Sequence, residues 1–471
     1  MTSANTAFEV FDPSTEEPFA TVDDVGVAGA SAAVEAASAA FPEWAATPPR
    51  TRSDVLRRAH EAMLARAEEL AETIVRENGK PLAEARGEVT YAAEFFRWFS
   101  EEAVRLHGSV VDAPAGGGKQ VVLNQPVGVS YLITPWNFPA AMLTRKIGPA
   151  LAAGCTVVAK PASLTPLTAI AIVDLLREIL SEAGVPAGVV NLVASRDSSG
   201  VTAAILGDDR VRKLSFTGST EVGRVLLAQA AERVVNTSME LGGNAPFLVF
   251  ADADLDAAVE GAMLAKLRHN GETCTAANRF FVEAPVAGEF ARKLAAAMAD
   301  LTVGPGLEPG TQVGPLVDDA TREKVERLVQ AGIDDGGRVL TGGRRPEAFR
   351  RGFYYEPTVV TEVSPDSALL AEEVFGPVAS ITTFEPGEDV VARANDVEHG
   401  LVAYLYSRDV GRAMATAERL EAGMVAVNKG VVSDPAAPFG GVKQSGLGRE
   451  GGHEGLLAYT ETKYIAVDWT A

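Results

Sequence analysis

The sequence predicts an α/β protein built on parallel sheets, and three observations lead there. Between residues 129 and 231 short apolar runs alternate with helical patterns, and a second series of the same kind spans residues 247–341. Strands and helices in alternation form parallel βαβ units with helices on both faces. The third observation is where the unusual residues stand. Those at 135–139, 160–163 and 218–219 each fall just past a predicted strand, the edge at which open α/β sheets bind ligands.

Residues 25–41 and 50–105 are rich in Ala, Leu, Glu and Arg at helical spacing, with Leu56, Ala59, Met63 and Ala67 on one face, so the first hundred residues are expected to be mostly amphipathic helix. Gly116-Gly117-Gly118 then precedes Gln120-Val121-Val122-Leu123-Asn124, one arm of a β-hairpin excursion. The first alternating unit assigns strand 129–134, helix 140–153, strand 156–159, helix 166–183, strand 189–193, helix 200–206, strand 213–216 and helix 221–231. The second assigns strand 247–250, helix 255–267, a turn at Cys274, strand 279–283, helices 286–299 and 320–331, and strand 338–341. The stretch Tyr464-Ile465-Ala466-Val467-Asp468-Trp469 reads as a terminal apolar strand. Unpaired it would invite aggregation, so it is expected to pair with a neighbouring subunit.

A chain of 471 residues, 47% of them hydrophobic, buries a large core and divides into two or three domains. Its net charge of −21 argues against nucleic acid, because phosphate binding relies on Lys and Arg patches. An anionic substrate or dinucleotide would need locally placed Arg or Lys. Two distant cysteines, Cys155 and Cys274, offer no disulfide framework and fit a reducing compartment. The five histidines lack metal-ligand spacing, so no metal is predicted. The first residues carry no basic and apolar leader pattern, and no apolar stretch reaches the ~20 residues that span a bilayer. A cytoplasmic protein without membrane partners is expected.

Cys274, in His269-Asn270-Gly271-Glu272-Thr273-Cys274, follows a helix where the chain turns through glycine, a position that can face a cleft. A thiol is mostly protonated at neutral pH, so a nucleophilic Cys274 needs donors or a base nearby. Glu240, before Leu241-Gly242-Gly243, supplies a candidate base, and Asn137, in Pro135-Trp136-Asn137-Phe138-Pro139, a candidate oxyanion donor. A lone cysteine is more often a small buried apolar residue than a nucleophile, and a surface Glu at a strand end is the ordinary reading of Glu240 alone. Thr217-Gly218-Ser219-Thr220 between strand and helix offers backbone N–H groups to a phosphate; a plain helix cap by Ser219 or Thr220 is the other reading.

Taken together and in order, Asn137, Glu240 and Cys274 resemble the aldehyde dehydrogenase superfamily. Lys160-Pro161-Ala162-Ser163, Phe216-Thr217-Gly218-Ser219-Thr220, Glu372-Glu373-Val374-Phe375-Gly376-Pro377 and Pro438-Phe439-Gly440-Gly441 extend the resemblance across nearly the whole chain. It implies a Rossmann-type dinucleotide-binding domain (1–110 and 128–240), an α/β catalytic domain (241–430) and a small β oligomerisation element (111–127 and 455–471), assembling as a homodimer or homotetramer. It also implies roles. Cys274 is the nucleophile, Asn137 the oxyanion donor and Glu240 the base that activates water. Lys160, Pro161, Ala162 and Ser163 lie toward the adenine-side ribose, Gly218 and Ser219 toward the pyrophosphate, Trp136 and Leu241 toward the nicotinamide, and Glu373 and Phe375 at its ribose. The cofactor is NADP or NAD. Many NAD-preferring relatives carry Glu where this chain has Ser163, and Ser with Lys160 would accept a 2′-phosphate that a carboxylate repels.

The resemblance is strongest to the succinate-semialdehyde dehydrogenase branch, through Arg145, Arg268 and Ser433. The two arginines would clamp the far carboxylate of a short ω-oxo acid. Glutarate semialdehyde or another aldehyde suits the same residues. A cysteine hydrolase and a non-catalytic binding protein are the competing classes. Some members of the branch carry a second cysteine two residues past the nucleophile; Ala276 stands there, so a disulfide switch is not expected.

Overall fold

The computed structural model describes residues 6–468. A six-stranded sheet runs in the order Gly446–Leu447, Asn236–Glu240, Val211–Thr217, Val129–Ile133, Val157–Lys160, Val190–Leu192, and all but the first are parallel. A seven-stranded sheet runs Arg338–Thr341, Thr358–Thr361, Val378–Phe384, Ala277–Glu283, Ala245–Val249, Val402–Tyr406, Met424–Val427, antiparallel only at its first pair. Both match the predicted class. Central strands such as Val157–Lys160 are buried along their length, as strands covered by helices on both faces must be.

The predicted helical region 50–105 is three helices, Pro49–Ala65, Ala67–Asn78 and Leu82–Glu102. Gly79, at φ 92°, ends the second in the left-handed conformation that glycine favours, and Pro81 caps the third. The helix predicted at 25–41 extends over Gly26–Ala46 and tolerates Pro42 within it. Ala141–Ala153 is buried at every position, including Arg145 and Lys146, so its sequence shows no polar stripe.

Two groups of strands lie outside the predicted set. The hairpin Thr6–Asp12 with Glu17–Asp24 precedes the first helix. The strands Thr358–Thr361, Val378–Phe384, Val402–Tyr406 and Met424–Val427 supply more than half of the second sheet. Val402–Tyr406 is buried at all five positions and lacks the alternation that marks a half-buried strand.

Ser109–Asp112, Lys119–Pro126 and Thr460–Val467 form a separate three-stranded antiparallel sheet, so the predicted terminal strand pairs first within its own chain. Trp469, predicted to end it, lies outside the described residues. No helix among the described residues is long and apolar enough to cross a membrane.

Candidate active site

Asn137 stands on the turn between the strand Val129–Ile133 and the helix Ala141–Ala153. Glu240 is the last residue of Asn236–Glu240. Cys274 follows the short turn Arg268–Gly271 and precedes Ala277–Glu283, and so comes from the second sheet. The backbone before it is left-handed at His269 (φ 49°) and Asn270 (φ 54°) as well as at Gly271. Gly271 has no substitute there: an added Cβ would lie 2.2 Å from the Gly376 carbonyl oxygen. The close approach brings the Cys274 arm against the segment that carries Glu373 and Phe375.

These residues share one wall. A cavity of about 270 Å³ is lined by Trp136, Asn137, Gly218, Ser219, Glu240, Leu241, Cys274, Glu373 and Phe375. A second, of about 560 Å³, shares Pro135, Trp136, Thr217, Gly218 and Ser219 with it and continues past Lys160 and Ala162. Together they form an elongated cleft across the carboxyl edge of the first sheet.

Burial pushes the Cys274 thiol up to about 12, against the pull of the Arg145 guanidinium, with Glu240 adding to the rise. The resting sulfur is therefore a thiol. Burial also holds the Glu240 carboxyl well above its usual range, and Glu450 adds to this, while Arg145, Lys146 and Arg449 oppose it. Neither Glu240 oxygen has a hydrogen-bond partner, so both are free for a water or a thiol proton. One N–H of the Asn137 amide donates to the Glu272 carbonyl at 3.0 Å; the amide carries a second. Burial raises Glu373 to about 7 against the pull of Lys324, and one of its oxygens accepts from Gly243 N at 3.2 Å.

The predicted cofactor residues divide. Trp136, Lys160, Ala162, Gly218, Ser219, Leu241, Glu373 and Phe375 reach the cleft, whereas Pro161 and Ser163 are not on its wall. The helix-cap reading of the Gly218 turn holds. Ser219 Oγ caps the helix Thr220–Ala231 by accepting from Val222 N at 3.3 Å, and the same helix start opens on the cleft. Ser198, Ser199, Thr202 and Gln229 also line the larger cavity and were not foreseen. Ser198 opens the helix after Val190–Leu192, so the strand-end rule applied once more would have found it.

The predicted substrate residues lie outside both cavity walls but near the thiol, since the Arg145 and Arg268 charges both act on Cys274. They also act on the Tyr91 hydroxyl, which faces Ser433. Tyr91, packed edge-on to Phe95 at 5.0 Å, gave no sequence signal because an aromatic on an amphipathic helix reads as core. Arg145 is not a free cation. Its Nε lies 2.9 Å from Glu450 Oε2, and its guanidinium sits 4.1 Å over the Phe439 ring. Among the described residues no group of three or more His, Cys, Asp or Glu is arranged to hold a metal ion.

Residues 1–465 match the aldehyde dehydrogenase family. The chain belongs to that family. This aldehyde dehydrogenase is 55% identical, over 93% of its length and 96% of the relative's, to a succinate-semialdehyde dehydrogenase of Paenarthrobacter nicotinovorans. It is 48% identical, over 98% and 94%, to a glutarate-semialdehyde dehydrogenase of Pseudomonas putida. The crystal structure of an E. coli NADP-dependent enzyme superposes with a TM-score of 0.95 at 45% identity, covering 98% of this chain and 95% of that one.

Proposed function

We propose that this aldehyde dehydrogenase oxidises succinic semialdehyde to succinate with NADP or NAD. The observation that carries the reading is the meeting of Cys274, Glu240 and Asn137 on one wall, with Arg268, Tyr91 and Ser433 grouped beside the thiol. An aldehyde carbon cannot release hydride until a nucleophile has added, and Cys274 adds to give a thiohemiacetal. Its proton passes to the nearby Glu240 carboxylate. The Asn137 amide and the Cys274 backbone N–H hold the oxyanion. Loss of hydride leaves a thioester on Cys274. Glu240 then gives up that proton to solvent, takes another from water as the water attacks the thioester, and returns it to the departing sulfur, which releases the acid and restores the thiol.

The cleft fits a dinucleotide, being elongated and open to a helix start at its middle, where N–H groups favour a pyrophosphate. Lys160 and Ala162 would hold the adenine-side ribose, Trp136 and Leu241 the nicotinamide, and Glu373 with Phe375 its ribose. When bound, the nicotinamide supplies the hydride acceptor. Lys160, with no carboxylate at position 163 to oppose a 2′-phosphate, supports use of NADP.

The relative acting on glutarate semialdehyde supports a second reading, a substrate one methylene longer between the same arginines. Cytoplasmic location and homo-oligomeric assembly complete the proposal. The free Cys155 and Cys274 support the first, and the exposed Val110, Val111, Tyr464 and Ile465 of the three-stranded sheet the second. Initial rates with succinic semialdehyde, glutaric semialdehyde and butyraldehyde, each with NAD and NADP, test the reading. Succinic semialdehyde should have the highest kcat/KM, and equal values for butyraldehyde would reduce the assignment to a general aldehyde oxidiser.

A further inference from the structure

Asn137 and Cys274 reach the cleft from different sheets, and one stretch of chain, from Asn78 to Glu88, bonds to both approaches. On the Asn137 side, Lys80 Nζ donates to the Asn137 carbonyl oxygen at 2.8 Å, and Asn78 Nδ2 donates to the Trp136 carbonyl at 3.0 Å. Lys80 is ion-paired with Glu88, both side chains being 1% exposed, and its ammonium lies 4.2 Å over the Phe138 ring. The other Glu88 oxygen accepts from Ala140 N at 2.9 Å and Ala141 N at 3.2 Å, where the buried helix begins. On the Cys274 side, Glu84 accepts from the His269 N–H in the turn that leads to Cys274.

We propose that Lys80, held by Glu88, is a positioning residue for the oxyanion: it fixes the Asn137 backbone so that the side-chain amide faces the adduct at Cys274. The inference rests on the roles proposed for Asn137 and Cys274. A buried ammonium–carboxylate pair is a poor source of stability, because desolvation consumes most of its attraction. Here it holds the carbonyl of one catalytic residue and the first N–H groups of the helix that follows. Catalytic geometry is sensitive to such a restraint, since a displacement of about 1 Å lowers rates by on the order of a hundredfold.

The experiment uses the full-length enzyme and the variants Lys80→Met, Glu88→Gln and Asn137→Ala, singly and with Asn137→Ala added to each of the others. Lys80→Met should slow the first-turnover burst of reduced cofactor by ~10- to 100-fold, with KM unchanged. Alkylation of Cys274 by iodoacetamide forms no oxyanion and should proceed at the wild-type rate. Glu88→Gln keeps an acceptor for Ala140 and Ala141 while removing the charge that holds Lys80, so it should slow the burst with Cys274 alkylation again unchanged. Because Lys80 acts through Asn137, adding Asn137→Ala to either variant should cost much less than it does in the wild type. Losses that add within about twofold would overturn the inference, as would wild-type bursts in both Lys80→Met and Glu88→Gln. If Lys80→Met does not fold, the Glu88→Gln pair makes the same comparison. A burst untouched by Asn137→Ala would overturn the role of Asn137 and this inference together, whereas a loss there with wild-type Lys80 and Glu88 variants would overturn the inference alone.

Discussion

Burial makes both proposed catalytic acids, Cys274 and Glu240, harder to ionise, and this sets the direction of the pH dependence. Cys274 is pushed up to about 12 and so keeps its proton at neutral pH, and Glu240 is held well above its usual range, both first by desolvation. Raising the pH ionises a larger fraction of both, and kcat/KM should climb from about pH 7 to about pH 9, by up to about tenfold per unit. A falling profile over that range would contradict the assignment. Cys274→Ala should bind cofactor without oxidising aldehyde. Glu240→Gln should give one burst of reduced cofactor and then turn over slowly, with a thioester detectable on rapid mixing; absence of both the burst and the slowing would remove its deacylation role.

The two arginines should behave differently. Arg268 has no ion-pair partner among the salt bridges of the described residues. If it meets the substrate carboxylate, Arg268→Ala should lower kcat/KM for succinic semialdehyde at least ~30-fold, mainly through KM, while butyraldehyde changes little. Arg145 is paired with Glu450 and lowers the charge burden on Glu240. Removing it leaves Lys146 as the remaining ion-pair partner of Glu450 and strengthens the repulsion between Glu450 and Glu240, so Arg145→Ala should impair both aldehydes. That outcome departs from a simple two-arginine clamp.

At the scale of elements, the decisive feature is that the three strand-end turns read from the sequence, after Val129–Ile133, Val157–Lys160 and Val211–Thr217, all open on one cleft. The 160–163 turn places Lys160 and Ala162 on its wall and Ser163 just off it. In the proposed binding mode a carboxylate at that position would repel a 2′-phosphate. Wild-type enzyme should therefore use NADP at least as well as NAD, and Ser163→Glu should reverse the preference. The ratio of kcat/KM values is the measurement; a wild-type preference for NAD of about tenfold, or ~1.4 kcal/mol, would refute the reading. These strand-end turns were legible in advance because each follows a short apolar run and precedes a helix. The strands from Thr358 to Val427 were not, since burial on both faces removes the alternation by which a strand announces itself.

At the scale of the molecule, the three-stranded sheet stands apart from the two large ones and carries exposed apolar side chains. Val110 is 57% exposed and Tyr464 58%. Val110 and its strand neighbour Val111 point to opposite faces, so apolar surface is presented on both sides. A second copy of the chain is the proposed cover. Val111→Asp with Tyr464→Asp should lower the molar mass seen by light scattering, and an unchanged mass would place the interface elsewhere.

What the sequence determined by itself was the class of fold and the sheet edge on which the cleft opens, and it singled out Asn137, Glu240 and Cys274, which the structure brings to that cleft. Those readings depend on hydrophobic period and on motifs a few residues long, which backbone geometry stamps locally on the chain. The tertiary structure decided which charges meet. Nothing near Arg145 in the sequence points to Glu450, and nothing near Asn137 points to Lys80 or Glu88. A buried charge must find its partner wherever the packed fold brings one within reach, and that pairing leaves no periodic trace in either segment.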